Sequence, residues 1–84
     1  MPKGKSNSIK PHPKLDLHGI FHSEVEEVVD SFISENLFEQ KIEIVTGYST
    51  RMKEIVKAVL LDYNLTAEEP LFNDGTLMIN ILEK

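Results

Sequence analysis

The stretch IEIVTGYSTRMKEIVKAVLLDY, residues 42–63, decides the fold because its apolar spacing changes period partway along. Ile42-Glu43-Ile44-Val45 is a short β-rich run of the kind that forms a strand. From Met52 onward the apolar residues recur at three and four positions instead. Met52, Ile55, Val56, Val59, Leu60 and Tyr63 form one helical stripe, with Ser49 or Thr50 as its N-cap. Thr46-Gly47 lies between, so a strand runs through a glycine turn into a helix start.

Working outward, the same unit stands upstream. Pro13 disfavours helix at His12, and Leu15-Asp16-Leu17 reads as the first strand. Ser23 and Glu26 have the spacing of a capping box, which predicts a helix starting there. Val25, Val28, Val29, Phe32, Ile33 and Leu37 make its core stripe; Glu24, Glu26, Glu27, Asp30 and Glu35 take the solvated side. Downstream, Leu65 to Phe72, a turn at Asn73-Asp74-Gly75, and Thr76 to Leu82 read as a hairpin. Pro70 has no ladder N–H, which puts the third strand at a sheet edge.

The order is β-α-β-α-β-β. A right-handed crossover through the first helix makes the first two strands parallel. If they are neighbours, their C-terminal ends lie side by side. The expected fold is a two-layer α/β sandwich, a four-stranded mixed sheet with two helices on one face. Leu15, Leu17, Ile42, Ile44, Leu77, Ile79 and Ile81 then face the helices. Asp16, His18, Glu43, Val45, Met78, Asn80 and Leu82 point to the open face.

The chain has 84 residues, enough for one modest core. With 40% hydrophobic and 27% charged residues it is ordinary for a soluble domain, and the lack of cysteine excludes disulfides and thiolate chemistry. No run of about 18 apolar residues occurs, so we expect no membrane partner, a cytoplasmic location and a monomer. The net charge of −5 is uneven. Residues 1–14 hold Lys3, Lys5, Lys10 and Lys14 with no acid, leaving −9 on residues 15–84. Residues 1–14, rich in proline and poor in apolar side chains, read as a flexible basic tail, and 15–84 as the domain.

Ligands of open α/β sheets sit outside the carboxyl ends of strands. Two loops belong there: His18-Gly19-Ile20-Phe21-His22 and Thr46-Gly47-Tyr48-Ser49-Thr50-Arg51. Gly47 allows close backbone approach, the following N–H groups can cradle an anion at the helix start, and Arg51 and Lys53 add positive charge. A phosphate suits this arrangement. Tyr48 is placed to stack on a base or to pack on its own loop. Taken alone, Thr46-Gly47 reads as a plain strand-to-helix turn and His18 as a loop-bonding residue. Asp16 and His18, at i and i+2, share a strand face, where they are candidates to hold one divalent ion or to orient and deprotonate a water. Glu43 is a candidate third ligand or a surface acid. His12, in the tail, and His22, just before a cap, carry less weight.

LDLHG at 15–19, then a helix, a strand ending in TG at 46–47, a second helix and a closing strand after Gly75, resembles the Smr (small MutS-related) domain family. The resemblance covers residues 14–82. It implies a fold similar to the C-terminal domain of translation initiation factor three, and a nucleic-acid-binding domain acting as a metal-assisted DNA-nicking or RNA endonuclease, a hydrolase using Mg²⁺ or Mn²⁺. The resemblance implies that Asp16 and His18 belong to the catalytic site and that Thr46 and Gly47 shape the loop meeting the phosphate backbone. The loop reading above adds Gly19, Tyr48, Ser49, Arg51 and Lys53 as candidates to contact bound DNA or RNA. Ser49 stands where the family's loop carries a second glycine. If that position requires φ > 0, Ser49 distorts the cradle. The alternative is therefore a non-catalytic nucleic-acid- or protein-binding module with a degenerate active-site loop.

Overall fold

A computed structural model describes residues 12–69 and 75–82, and the six elements follow in the expected order. They are β1 (Lys14–Asp16), α1 (His22–Glu35), β2 (Lys41–Val45), α2 (Thr50–Asp62), β3 (Ala67–Glu68) and β4 (Thr76–Asn80). The strands form one mixed sheet in the order β1-β2-β4-β3. β1 runs parallel to β2, with Leu15 opposite Ile44 and Asp16 opposite Val45. β4 is antiparallel to both β2 and β3. β3 is an edge strand, as Pro70 led us to expect; Pro70 and the turn residues Asn73 and Asp74 lie outside the described residues.

Period-two alternation sorts the sheet into two faces. Ile42, Ile44, Leu77 and Ile79 are fully buried, in one cluster with Val25, Val29 and Ile33 of α1 and Met52, Val56, Val59 and Leu60 of α2. Both helices thus cover one face, and the fold is a two-layer α/β domain. Glu43, Val45, Met78 and Asn80, between the buried positions, are only half-buried. No helix among the described residues is long and apolar enough to cross a membrane.

The structure departs from expectation at four element ends. α1 begins at His22 with Phe21 as N-cap and no side-chain cap, so the Ser23–Glu26 capping box does not form. A turn closed by the Ile20 N–H to Leu17 O (3.0 Å) leads into the helix two residues sooner, leaving Ser23 inside the first turn. Leu37 is not core: α1 stops at Glu35, and Asn36 donates from Nδ2 to Phe32 O (2.7 Å) and from its N–H to Ile33 O (3.0 Å). Leu37 is 38% exposed as a result.

β3 starts later than Leu65. Asn64 adopts φ 59°, the Asn64 N–H donates to Leu61 O (3.0 Å) and the Leu65 N–H to Leu60 O (2.9 Å). This pair of bonds is a Schellman cap, and it uses the donor that a strand at Leu65 would need. At the amino end the domain starts before Leu15. Lys14 is in β1, Pro13 O accepts from the Glu43 N–H (2.9 Å), and the His12 ring donates from Nε2 to Glu43 Oε1 (2.7 Å). Residues 1–11 of the predicted tail lie outside the described residues.

Candidate functional site

Because β1 and β2 are parallel neighbours, their carboxyl ends leave the sheet together. The ladder continues one step past β1, with the Leu17 N–H donating to Val45 O (3.0 Å). The His18-Gly19 and Thr46-Gly47 turns therefore start from adjacent points. Asp16 is exposed, and its Oδ1 accepts the His18 N–H at 2.9 Å. This is an Asx-type bond, so the carboxylate shapes the turn that follows it. His18 is exposed, and Gly19 takes φ 82° at the third position of the Leu17–Ile20 turn. A left-handed conformation at that position is what favours glycine.

Gly47 is the matching element, with φ 69°. A Cβ built on Gly19 or Gly47 would meet nothing within 4 Å, so each glycine is required by backbone conformation and leaves space above it. Thr46, 7% exposed, donates from its N–H to Gly75 O (2.9 Å) and from Oγ1 to Gly47 O (2.9 Å). The Gly47 N–H donates to the same Gly75 carbonyl at 3.0 Å. A Cβ on Gly75 would come 3.4 Å from Gly47 Cα, so backbone packs close to backbone here. Gly75 belongs to the site, whereas its sequence context marked only a hairpin turn. Antiparallel pairing of Val45 with Thr76 puts the start of β4 beside the end of β2, a placement that no local pattern encodes.

Ser49 corrects the expectation of a distorted cradle. It sits at φ −73°, ψ 116°, and its Oγ accepts the Met52 N–H at 3.0 Å as the N-cap of α2. The position does not require left-handed backbone, and serine suits it better than glycine. Among the described residues, none accepts a hydrogen bond from the N–H of Tyr48, Ser49, Thr50 or Arg51. These donors lie at the positive end of the α2 dipole, and the first turn of α2 holds no acid. An anion is the ligand such a group of donors favours.

The predicted cations divide. Lys53 Nζ lies 3.4 Å from Glu69 Oε1 and Lys57 Nζ 2.9 Å from Glu69 Oε2. Hydrogen bonds from Lys57 and then Lys53 hold the Glu69 carboxyl below its ordinary range. Arg51 is exposed and has no acid partner among the described residues. Tyr48 is 80% exposed.

Among the described residues no three His, Asp or Glu side chains converge as ligands for a metal ion. Glu43, the third candidate, is engaged by His12, which leaves Asp16 and His18 as two donors without a cage. A groove of about 320 Å³ on the helical side is lined by Ser23, Glu26, Glu27, Asp30, Val59 and Asp62. Its acids repel phosphate, and Arg51 lines an adjoining groove with Glu26, Glu54 and Asp62, so the acidic face reaches the first turn of α2. Neither a protein-family model, nor a curated protein, nor a solved structure matches the chain.

Proposed function

We propose that this chain is a nucleic-acid-binding domain of the Smr-like kind, seating a backbone phosphate over the Gly19 and Gly47 turns at the amino end of α2. The supporting observation is the pair of left-handed glycines, each with open space above it, on turns that leave neighbouring strand ends, together with the N–H groups of residues 48–51, which have no acceptor among the described residues. Arg51 supplies formal charge at the same helix start. With Lys53 and Lys57 held by Glu69, the domain's cations neutralise few phosphates, so their contribution to affinity is small and its dependence on salt is shallow.

A second reading adds phosphodiester hydrolysis, and the placement of Asp16 and His18 at the same strand end favours it. In that reading the exposed His18 imidazole takes a proton as the water oxygen bonds to phosphorus, and the bond from phosphorus to the departing oxygen breaks. That oxygen leaves with the proton handed on by His18, and Asp16 keeps the His18 backbone in place.

NMR titration with a short oligonucleotide tests the binding reading. Amides of residues 18–22 and 46–53 are expected to move, and a response confined to α1 or the open sheet face overturns it. Nicking of supercoiled plasmid and cutting of structured RNA, with and without Mg²⁺ or Mn²⁺, tests hydrolysis. Asp16→Asn keeps the oxygen that accepts the His18 N–H while removing the charge, so it separates turn shaping from chemistry. Cleavage that survives both Asp16→Asn and His18→Ala rules out these residues as the catalytic pair.

A further inference from the structure

Three aromatic side chains among the described residues are largely in solvent: Phe21 (73% exposed), Tyr48 (80%) and Phe38 (92%). Two of the three belong to the strand-end loops. Phe21 follows the Leu17–Ile20 turn directly as the N-cap of α1, and Tyr48 follows Gly47 directly before the cap of α2. Phe38 is in the α1–β2 connection, which enters β2 at its other end. An exposed ring at an N-cap makes no hydrogen bond for the helix, and Phe21 makes none. Neither Phe21 nor Tyr48 is packed against the hydrophobic core.

Resting on the nucleic-acid reading above, we infer that the ligand is a single strand with unpaired bases, which stack on Phe21 and Tyr48 while its backbone crosses the Gly19 and Gly47 turns. Neighbouring strands of a sheet lie about 4.8 Å apart, so the two loops leave the sheet close together. Every base presents a π-face, so two rings beside a phosphate seat bind a flexible strand without selecting its sequence. A duplex keeps its bases stacked on one another and offers these rings only its ends.

The test is fluorescence anisotropy of the full chain with three probes of equal length: an ordinary single strand, its duplex, and a single strand whose central nucleotides are abasic. The ordinary strand is expected to bind about tenfold tighter than the other two. Phe21→Ala and Tyr48→Ala each weaken its binding about tenfold and leave the abasic strand unchanged. Tyr48→Phe restores binding, and Phe38→Ala, which removes a still more exposed ring elsewhere, changes nothing. Equal affinity for ordinary and abasic strands, or no effect of either alanine, overturns the stacking proposal and leaves the phosphate site standing. If none of the probes binds, the nucleic-acid reading itself fails, and the stacking proposal fails with it.

Discussion

Replacing Ser49 probes both halves of the site. Its hydroxyl accepts the Met52 N–H at 3.0 Å, the single side-chain cap of α2. Losing such a cap to alanine costs about 1 kcal/mol, whereas glycine costs a few tenths. α2 contributes Met52, Val56, Val59 and Leu60 to the buried core, so loosening its first turn is felt in global unfolding. For a domain of this size, about 1 kcal/mol corresponds to a fall in Tm of about 4–8 °C. Ser49→Ala should show that fall by circular dichroism, and Ser49→Gly a smaller one. Ser49→Asp keeps an acceptor and adds a negative charge favoured by the helix dipole, so its Tm should match or exceed that of the wild type. The same charge repels phosphate, and oligonucleotide affinity should drop several-fold at low salt. A Tm for Ser49→Ala within a degree of wild type would show that the hydroxyl does not cap the helix. Wild-type affinity in a folded Ser49→Asp would show that no anion sits at the amino end of α2.

Ile44→Ala empties a fully buried position on β2, which lies between β1 and β4. The loss is about 2–5 kcal/mol, comparable to the whole stability of so small a domain, so the variant should be largely unfolded in urea titration while Ile44→Val stays folded. Glu69 is expected to titrate below the ordinary carboxylate range by NMR. Its depressed folded-state pKa means that its contribution to stability is present above the unfolded value and lost as pH falls through the folded one. Lys57→Met should move that midpoint upward, and an unchanged midpoint would remove Lys57 as its cause. The exposed setting makes the stability effect small and salt-sensitive.

Local periodicity made the element order and most of the core legible. Ile42 and Ile44 alternate with Glu43, and Met52, Val56, Val59 and Leu60 recur at helical spacing, because burying one face imposes these periods on any sequence. Element ends were less legible. The Ser23–Glu26 pair has the composition of a cap, yet the turn at Leu17–Ile20 places the helix start earlier, so identical local chemistry goes unused. Leu37 kept the apolar spacing but lies beyond the last helical turn, and the Asn64 cap took the N–H of Leu65 from β3.

For the candidate site, sequence alone established the ingredients: Asp16-Leu17-His18-Gly19 after one strand, and Thr46-Gly47 before a capped helix. Glycine is favoured where φ turns positive, and that preference is local enough to read. Tertiary structure decided what meets what. Parallel pairing of β1 with β2 set the two turns side by side, antiparallel pairing of β4 brought the Gly75 carbonyl under Thr46 and Gly47, and Glu69 reached Lys53 and Lys57. Each of these contacts joins residues distant in sequence. They depend on which strands share a sheet and in what register, which is settled by burying the whole core at once rather than by any one segment's residues.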